Sequence, residues 1–190
     1  PEARKEWSDL QTFAERSLEL PEMQRWDLAF VSEQYKQDQL ELDSDALKFY
    51  FPLNQVLEGA VEVANQLHGL TFVHEADNPS YHEDVDCYEV WNTQGDFVAH
   101  LTADWHPRKG KRNGAWMTSY RTAYRESDQE HKPVLSMDCN FSKRHGTQPA
   151  LLTFRSVPLL FHQLCPALHT SMRDAQHAYF TVSHVLSELV

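Results

Sequence analysis

The stretch VDCYEVWNTQGDFVAHLTADW (residues 85–105) decides how this chain folds. In its second half Phe97, Ala99, Leu101, Ala103 and Trp105 fall at every other position. That is the repeat of a strand with one face turned to a core, because successive side chains on a strand point to opposite sides. VDCYEVW precedes it across NTQGD, a segment rich in turn formers. The pair is expected to form an antiparallel hairpin.

Working outward, GAWMTSYRTAY (114–124) and PVLSMDCNF (133–141) read as two more strands, the second with Leu135, Met137, Cys139 and Phe141 on one side. A sheet of about four strands is the usual order of size. Upstream the period changes. Leu53, Val56, Leu57, Ala60, Ala64 and Leu67 form an amphipathic stripe, with Gly69 placed to end the helix. Trp7, Leu10, Phe13, Ala14 and Leu18 fall at helical spacing; Pro21 is placed to open the next helix, with Met23, Trp26 and Phe30 continuing the pattern. Helical pattern returns at 156–172, with Ser156 as cap and Pro158 in the first turn. Pro166 should kink or stop that helix near Leu164. The expected architecture is one α+β domain over 1–190, mainly helical with a small antiparallel sheet: 1–69 helical, 70–141 sheet, 151–190 helical again.

Composition narrows the function. A chain that is 41% apolar and 12% aromatic is typical of a globular protein. Its net charge of −11, with RKGKR at 108–112 as the single basic cluster, argues against nucleic acid as partner, since phosphate contacts need a broad cationic face. No apolar run reaches the roughly 18 residues of a membrane helix. PEARKEW at the start lacks the layout of a signal peptide. A cytoplasmic protein with no membrane partner is therefore expected. Cys87, Cys139 and Cys165, odd in number and far apart, suit reduced thiols. A first residue of Pro rather than Met is expected of a chain cut from something longer.

Chemistry concentrates in LLFHQLCPALH (159–169). A helical zinc peptidase site needs two imidazoles one turn apart and a Glu that takes a proton from metal-bound water. Here His162 is followed by Gln163, and Pro166 stands four places on. A substitute set, His162, Cys165 and His169 at i, i+3 and i+7, would share one stripe of an unbroken helix. Cys165 beside either His would be a nucleophile lacking a third, orienting group. His177 and His184, seven apart, would share one face of a helix, with no acidic partner at diagnostic spacing. The PRKGKR loop reads as a solvated turn, or else as a cation pair for a substrate carboxylate.

YFPLNQVLEG, HGLTF, YEVWNTQGDFVAHLTADWHPRKGKRNGAWMTSY, KPVLSMDCNF and QPALLTF, in this order, resemble the thimet oligopeptidase family of zinc peptidases, the GKRNGAWMTSY wording being most similar to its dipeptidyl carboxypeptidase branch. The resemblance runs from about Trp26 to His169 and implies part of a zincin-like catalytic domain. In that family LLTF leads into a zinc helix reading H-E-x-G-H-A-L-H. The resemblance thus places His162 at the first metal ligand, Gln163 at the general-base Glu and Pro166 at the second His. Glu188 is the local candidate for the third ligand, and further substrate-binding His and Tyr positions would lie beyond Val190. Gly114, Ala115 and Trp116 open the strand expected to hold an extended peptide. With base and ligand replaced, His162 and Glu188 are expected to be metal-site remnants, no residue is expected to be catalytic, and no cofactor is expected, zinc being the exception if the chain is active. The expected function is non-hydrolytic binding of a peptide or protein partner, with a homodimer as one outcome of uncovered apolar faces. The alternative is a zinc-dependent oligopeptide hydrolase using unorthodox ligands or requiring a missing C-terminal half.

Overall fold

The computed structural model describes residues 2–41, 43–76, 80–127, 129–144, 146 and 148–173. Two compact units divide the chain, Pro1–Leu47 and Lys48–Val190. In the first, α1 (Glu2–Ser17) and α2 (Leu28–Leu40) pack on each other, and a short α3 (Ser44–Leu47) follows. Its small core is Ala14, Met23 and Val31, ringed by Leu10, Phe13, Leu18 and Leu20. The expected helix start at Pro21 is displaced to Leu28. Glu19 adopts a left-handed φ of 54°, and the Asp27 carboxylate accepts the backbone N–H of Gln24 at 3.0 Å, a local bond that favours turn over helix. Trp26 and Phe30, expected in a core stripe, are 79% and 59% exposed.

The second unit opens with a 3₁₀ turn, Lys48–Tyr50, and α4 (Leu53–His68). Gly69 ends α4 as expected, donating its N–H to the Asn65 carbonyl at 2.7 Å with φ 67°. A side chain there would be strained twice, by that φ and by Thr93 Cγ2, which would lie 2.5 Å from the added Cβ. Five strands follow in one sheet: β1 (Thr71–His74), β2 (Val85–Trp91), β3 (Phe97–Asp104), β4 (Trp116–Arg121) and β7 (Val134–Asp138), in the order β1-β2-β3-β7-β4. A separate hairpin pairs β5 (Tyr124–Glu126) with β6 (Gln129–His131).

The α+β class holds, and so does the β2–β3 hairpin, with Tyr88 opposite Leu101 and Glu89 opposite His100. The sheet is mixed, however. β7 runs parallel to β3, Leu101 opposite Leu135, and antiparallel to β4, Met117 opposite Met137. Alternation within single strands says nothing about the direction of a neighbour, so a parallel pairing is invisible to it. Being central, β7 buries both faces: Leu135 and Met137 on one, Ser136 and Asp138 on the other.

One face of the sheet carries the main core. Leu101, Ala103, Trp105 and Met137 meet Leu57 and Ala60 of α4 and Leu160 and Leu164 of α5 (Ser156–Met172). α5 begins at Ser156 with Arg155, not Ser156, at the N-cap position, and the Ser156 N–H is received by the Thr153 hydroxyl at 3.2 Å. It neither stops nor breaks at Leu164: Pro166 lies inside a continuous helix. The missing N–H strands the carbonyl of His162, an exposed residue whose side of the helix is open to water. Burial of Leu160, Leu164, Ala167 and Leu168 offsets a proline penalty of about 3 kcal/mol, at roughly 1.5–3 kcal/mol for each large apolar side chain.

Candidate functional site

Because α5 is unbroken, its faces are defined. Gln163, Leu164, Ala167 and Leu168 point inward, while His162, Cys165 and His169 lie on the exposed side. The stripe expected for the latter three is therefore real, but their donor atoms do not converge. Among the described residues the one group of three ligating side chains with donors within 4.8 Å of one another is Glu75, Glu89 and His100, on the sheet. Zinc, which the family resemblance implies, needs three protein donors in an open site. The described part of α5 gives it His162, with an amide at 163 and a proline at 166 that has no donor at all. The described residues of α5 do not fit the ion. Glu188, His177 and His184 lie outside the described residues.

Gly114, Ala115 and Trp116 lead into β4, which has β7 on one side and, among the described residues, no further strand on the other. α5 packs against β4 and β7. Gly114 takes φ 98°, and Asn140 Nδ2 fixes the bend by donating to the carbonyls of Arg112 (2.9 Å) and Gly114 (2.6 Å). The Arg112 guanidinium covers the Trp116 ring at 4.4 Å. On the α5 side of β4, in step with Met117, Ser119 carries a buried hydroxyl without a hydrogen-bond partner. Buried polar groups are nearly always paired, so an orphan beside an open strand edge is notable.

The basic loop has a different role from either one expected of it. Asp104, fully buried at the end of β3, receives Lys111 Nζ at 2.8 Å, Arg108 Nη1 at 2.7 Å and the Tyr81 hydroxyl at 3.0 Å. Lys111 Nζ also donates to the carbonyls of Asp104, His106 and Cys139. Burial alone pushes the Asp104 carboxyl up, but the hydrogen bonds from Lys111, Arg108 and Tyr81 together hold it below the ordinary carboxylate range. Burial and the same bond push the Tyr81 hydroxyl well above its usual value. Arg108 and Lys111 are thus committed to the fold: they tie the β3–β4 connection to the end of β7, and so place Gly114–Trp116. Nothing in the spacing of PRKGKR marks Asp104 as its partner, beyond an acid four residues before Arg108.

All three cysteines are free, Cys165 exposed and the other two buried. Burial pushes the Cys139 thiol up to about 12, so it is inert.

Comparison with known proteins bears on this arrangement. Oligopeptidase A of Escherichia coli (strain K12) is 33% identical over 170 residues, covering 89% of this chain and 25% of the relative. Dipeptidyl carboxypeptidase of Salmonella typhimurium is 40% identical over 148 residues, 77% of this chain and 22% of the relative. Saccharolysin of Saccharomyces cerevisiae is 28% identical over 163 residues, 82% and 23%. The chain spans about a quarter of the length of the first of these relatives. The sequence model of Peptidase family M3 matches residues 1–190, so the helices, the mixed sheet and α5 fall inside that match from end to end. The chain belongs to Peptidase family M3.

Proposed function

We propose that this chain binds peptides without hydrolysing them, as a portion of an M3-type catalytic domain whose metal and base positions have been replaced. The observation that carries this reading is the pairing of a free strand edge with an α5 lacking the zinc donor set. β4 ends the sheet beside α5, and an extended peptide added to a sheet edge is held by main-chain hydrogen bonds that require no metal. Relatives named oligopeptidase and dipeptidyl carboxypeptidase act on peptides, which makes a peptide the natural occupant. Titration of the chain with an unblocked peptide, followed through tryptophan fluorescence with Trp116 at the strand, is expected to saturate. Absence of any saturable change at millimolar peptide would remove the proposal.

A zinc-dependent oligopeptide hydrolase remains the second reading, because the chain spans a quarter of its relative and the missing donors have ample sequence to come from. Chelator-sensitive release of C-terminal dipeptides favours the hydrolase, and its absence favours the binding module. A cytoplasmic location accords with the free cysteines and with the absence, among the described residues, of a helix long and apolar enough to cross a membrane.

The same reading includes a protein partner or a second copy. Tyr50, Leu67 and Phe154 of the second unit are 76%, 71% and 64% exposed. If these side chains join in a contiguous apolar patch of several hundred Å², that patch is the surface such a partner would cover. Light scattering at high concentration is expected to give twice the mass of 22.1 kDa, and a clean monomer would count against self-association.

A further inference from the structure

We infer that Glu75, Glu89 and His100 form a binding site for a first-row divalent cation on the sheet face opposite α4 and α5. Glu89 and His100 are directly opposite each other on β2 and β3. Their neighbours Tyr88 and Leu101 line the helix-side core, so by alternation Glu89 and His100 project from the other face. Glu75 immediately follows β1, where its backbone N–H is held by the Cys87 carbonyl at 2.8 Å. Three adjacent strands thus present one donor each from a hydrogen-bonded scaffold, a more rigid arrangement than three donors on a loop.

The donors are already close to ligating geometry. All three lie within 4.8 Å of one another, and His100 Nδ1 is 3.6 Å from Glu75 Oε2. Two donors on a tetrahedral zinc, each about 2.0–2.1 Å from the ion, are about 3.4 Å apart. Outer contacts orient the ligands. The Trp91 indole N–H donates to Glu89 Oε2 at 3.2 Å, and the His100 ring packs on Phe97 with centroids 4.6 Å apart. Phe97 in turn meets Trp91 at 5.5 Å, completing an aromatic wall beside the donors. Partners of this kind fix the direction of a metal ligand.

Charge and softness choose the occupant. Two carboxylates brought together on a half-buried face repel, and a divalent ion removes that repulsion in a protein of net charge −11. One imidazole nitrogen with two carboxylate oxygens suits zinc or manganese, and zinc is the tighter of the two in the usual order of divalent affinities. Three protein ligands leave room for water on the ion.

The test titrates Zn²⁺ into the unmodified chain by calorimetry. One ion per chain is expected, with affinity weakened at least tenfold by Glu89→Gln and by His100→Asn and unchanged in a His162→Ala/Cys165→Ser double variant. The opposite pattern, loss in the α5 double variant and retention in the sheet variants, would overturn the assignment, as would no binding at millimolar zinc. A second measurement needs no substitution: Mn²⁺ is expected to broaden the backbone amide resonances of residues 74–76, 88–91 and 98–101. Broadening confined to residues 160–170 would place the ion on α5 and refute the site.

Discussion

Replacing Asp104 with alanine is expected to destabilise the protein by about 3–5 kcal/mol, the usual cost of removing one partner from a buried ion pair. Against a typical total stability of about 5–15 kcal/mol, that leaves much of the chain unfolded or close to it. The cause is Lys111, whose side chain is 3% exposed and whose ammonium would remain inside with carbonyl partners alone. Urea denaturation of Asp104→Ala, Lys111→Met and the double variant separates this cause from simple loss of volume. The double variant is expected to be more stable than Asp104→Ala, because no charge is then stranded. A loss below about 1 kcal/mol in the single variant would show the network to be worth no more than a surface pair. Because the folded carboxyl sits below its ordinary range, its contribution is full above the unfolded carboxylate pKa and is lost as pH falls through the folded value. Acid should therefore weaken the native chain more steeply than Asp104→Asn.

Restoring Glu at position 163 alone is expected to yield no hydrolysis. A general base contributes about 10² to 10⁴ in rate, but only when there is metal-bound water to deprotonate. The geometry adds an obstacle. Gln163 is 8% exposed and faces inward, so Gln163→Glu would bury a carboxylate and lower stability rather than supply a poised base. Gln163→Glu combined with Pro166→His is expected to gain zinc affinity, since α5 is already helical through position 166 and a second imidazole would then lie one turn from His162. The assay is release of C-terminal dipeptides from an unblocked peptide, with and without chelator. Chelator-sensitive turnover by the unmodified chain would mean that zinc finds its donors by another route.

The core of the second unit could be read from the sequence because each of its elements has a one-sided pattern. Leu53, Val56, Leu57, Ala60 and Ala64 repeat like a helix, and Ala99, Leu101 and Ala103 alternate like a strand, and these turn the face their period names to the core, whereas Leu67 at the end of the stripe is exposed. Elements without such a pattern escaped. β1 is four residues with little burial, and the β5–β6 hairpin is shorter still. Pro166 misled for a different reason: a local rule about hydrogen bonds was outweighed by the packing of Leu164 and Leu168, and packing is a property of the whole unit. At the candidate site, Gln163 and Pro166 can be read against the zinc motif that the family resemblance implies. The Asp104 network and the Glu75–Glu89–His100 cluster were not: the first depends on the loop after β3 folding Lys111 back onto Asp104, and the second joins residues that become neighbours through strand register.

The position of β7 between β3 and β4 also sets an order of events. Strands β1 to β3 can pair as the chain is made, each turning back on the one before. The outer edge of β3 must wait for residues 134–138, and β4, made earlier than β7, has no partner in the sheet until the same residues arrive. Bringing Val134 back to His100 closes a loop that costs about 3 kcal/mol in chain entropy before any pairing repays it. Lys111 then clasps that closure, because it donates to the carbonyls of Asp104 and of Cys139, one on each side of it. A nascent chain that ends between β4 and residue 134 leaves open the β3 and β4 edges that β7 later joins, and such edges are the surfaces through which unfinished sheets associate.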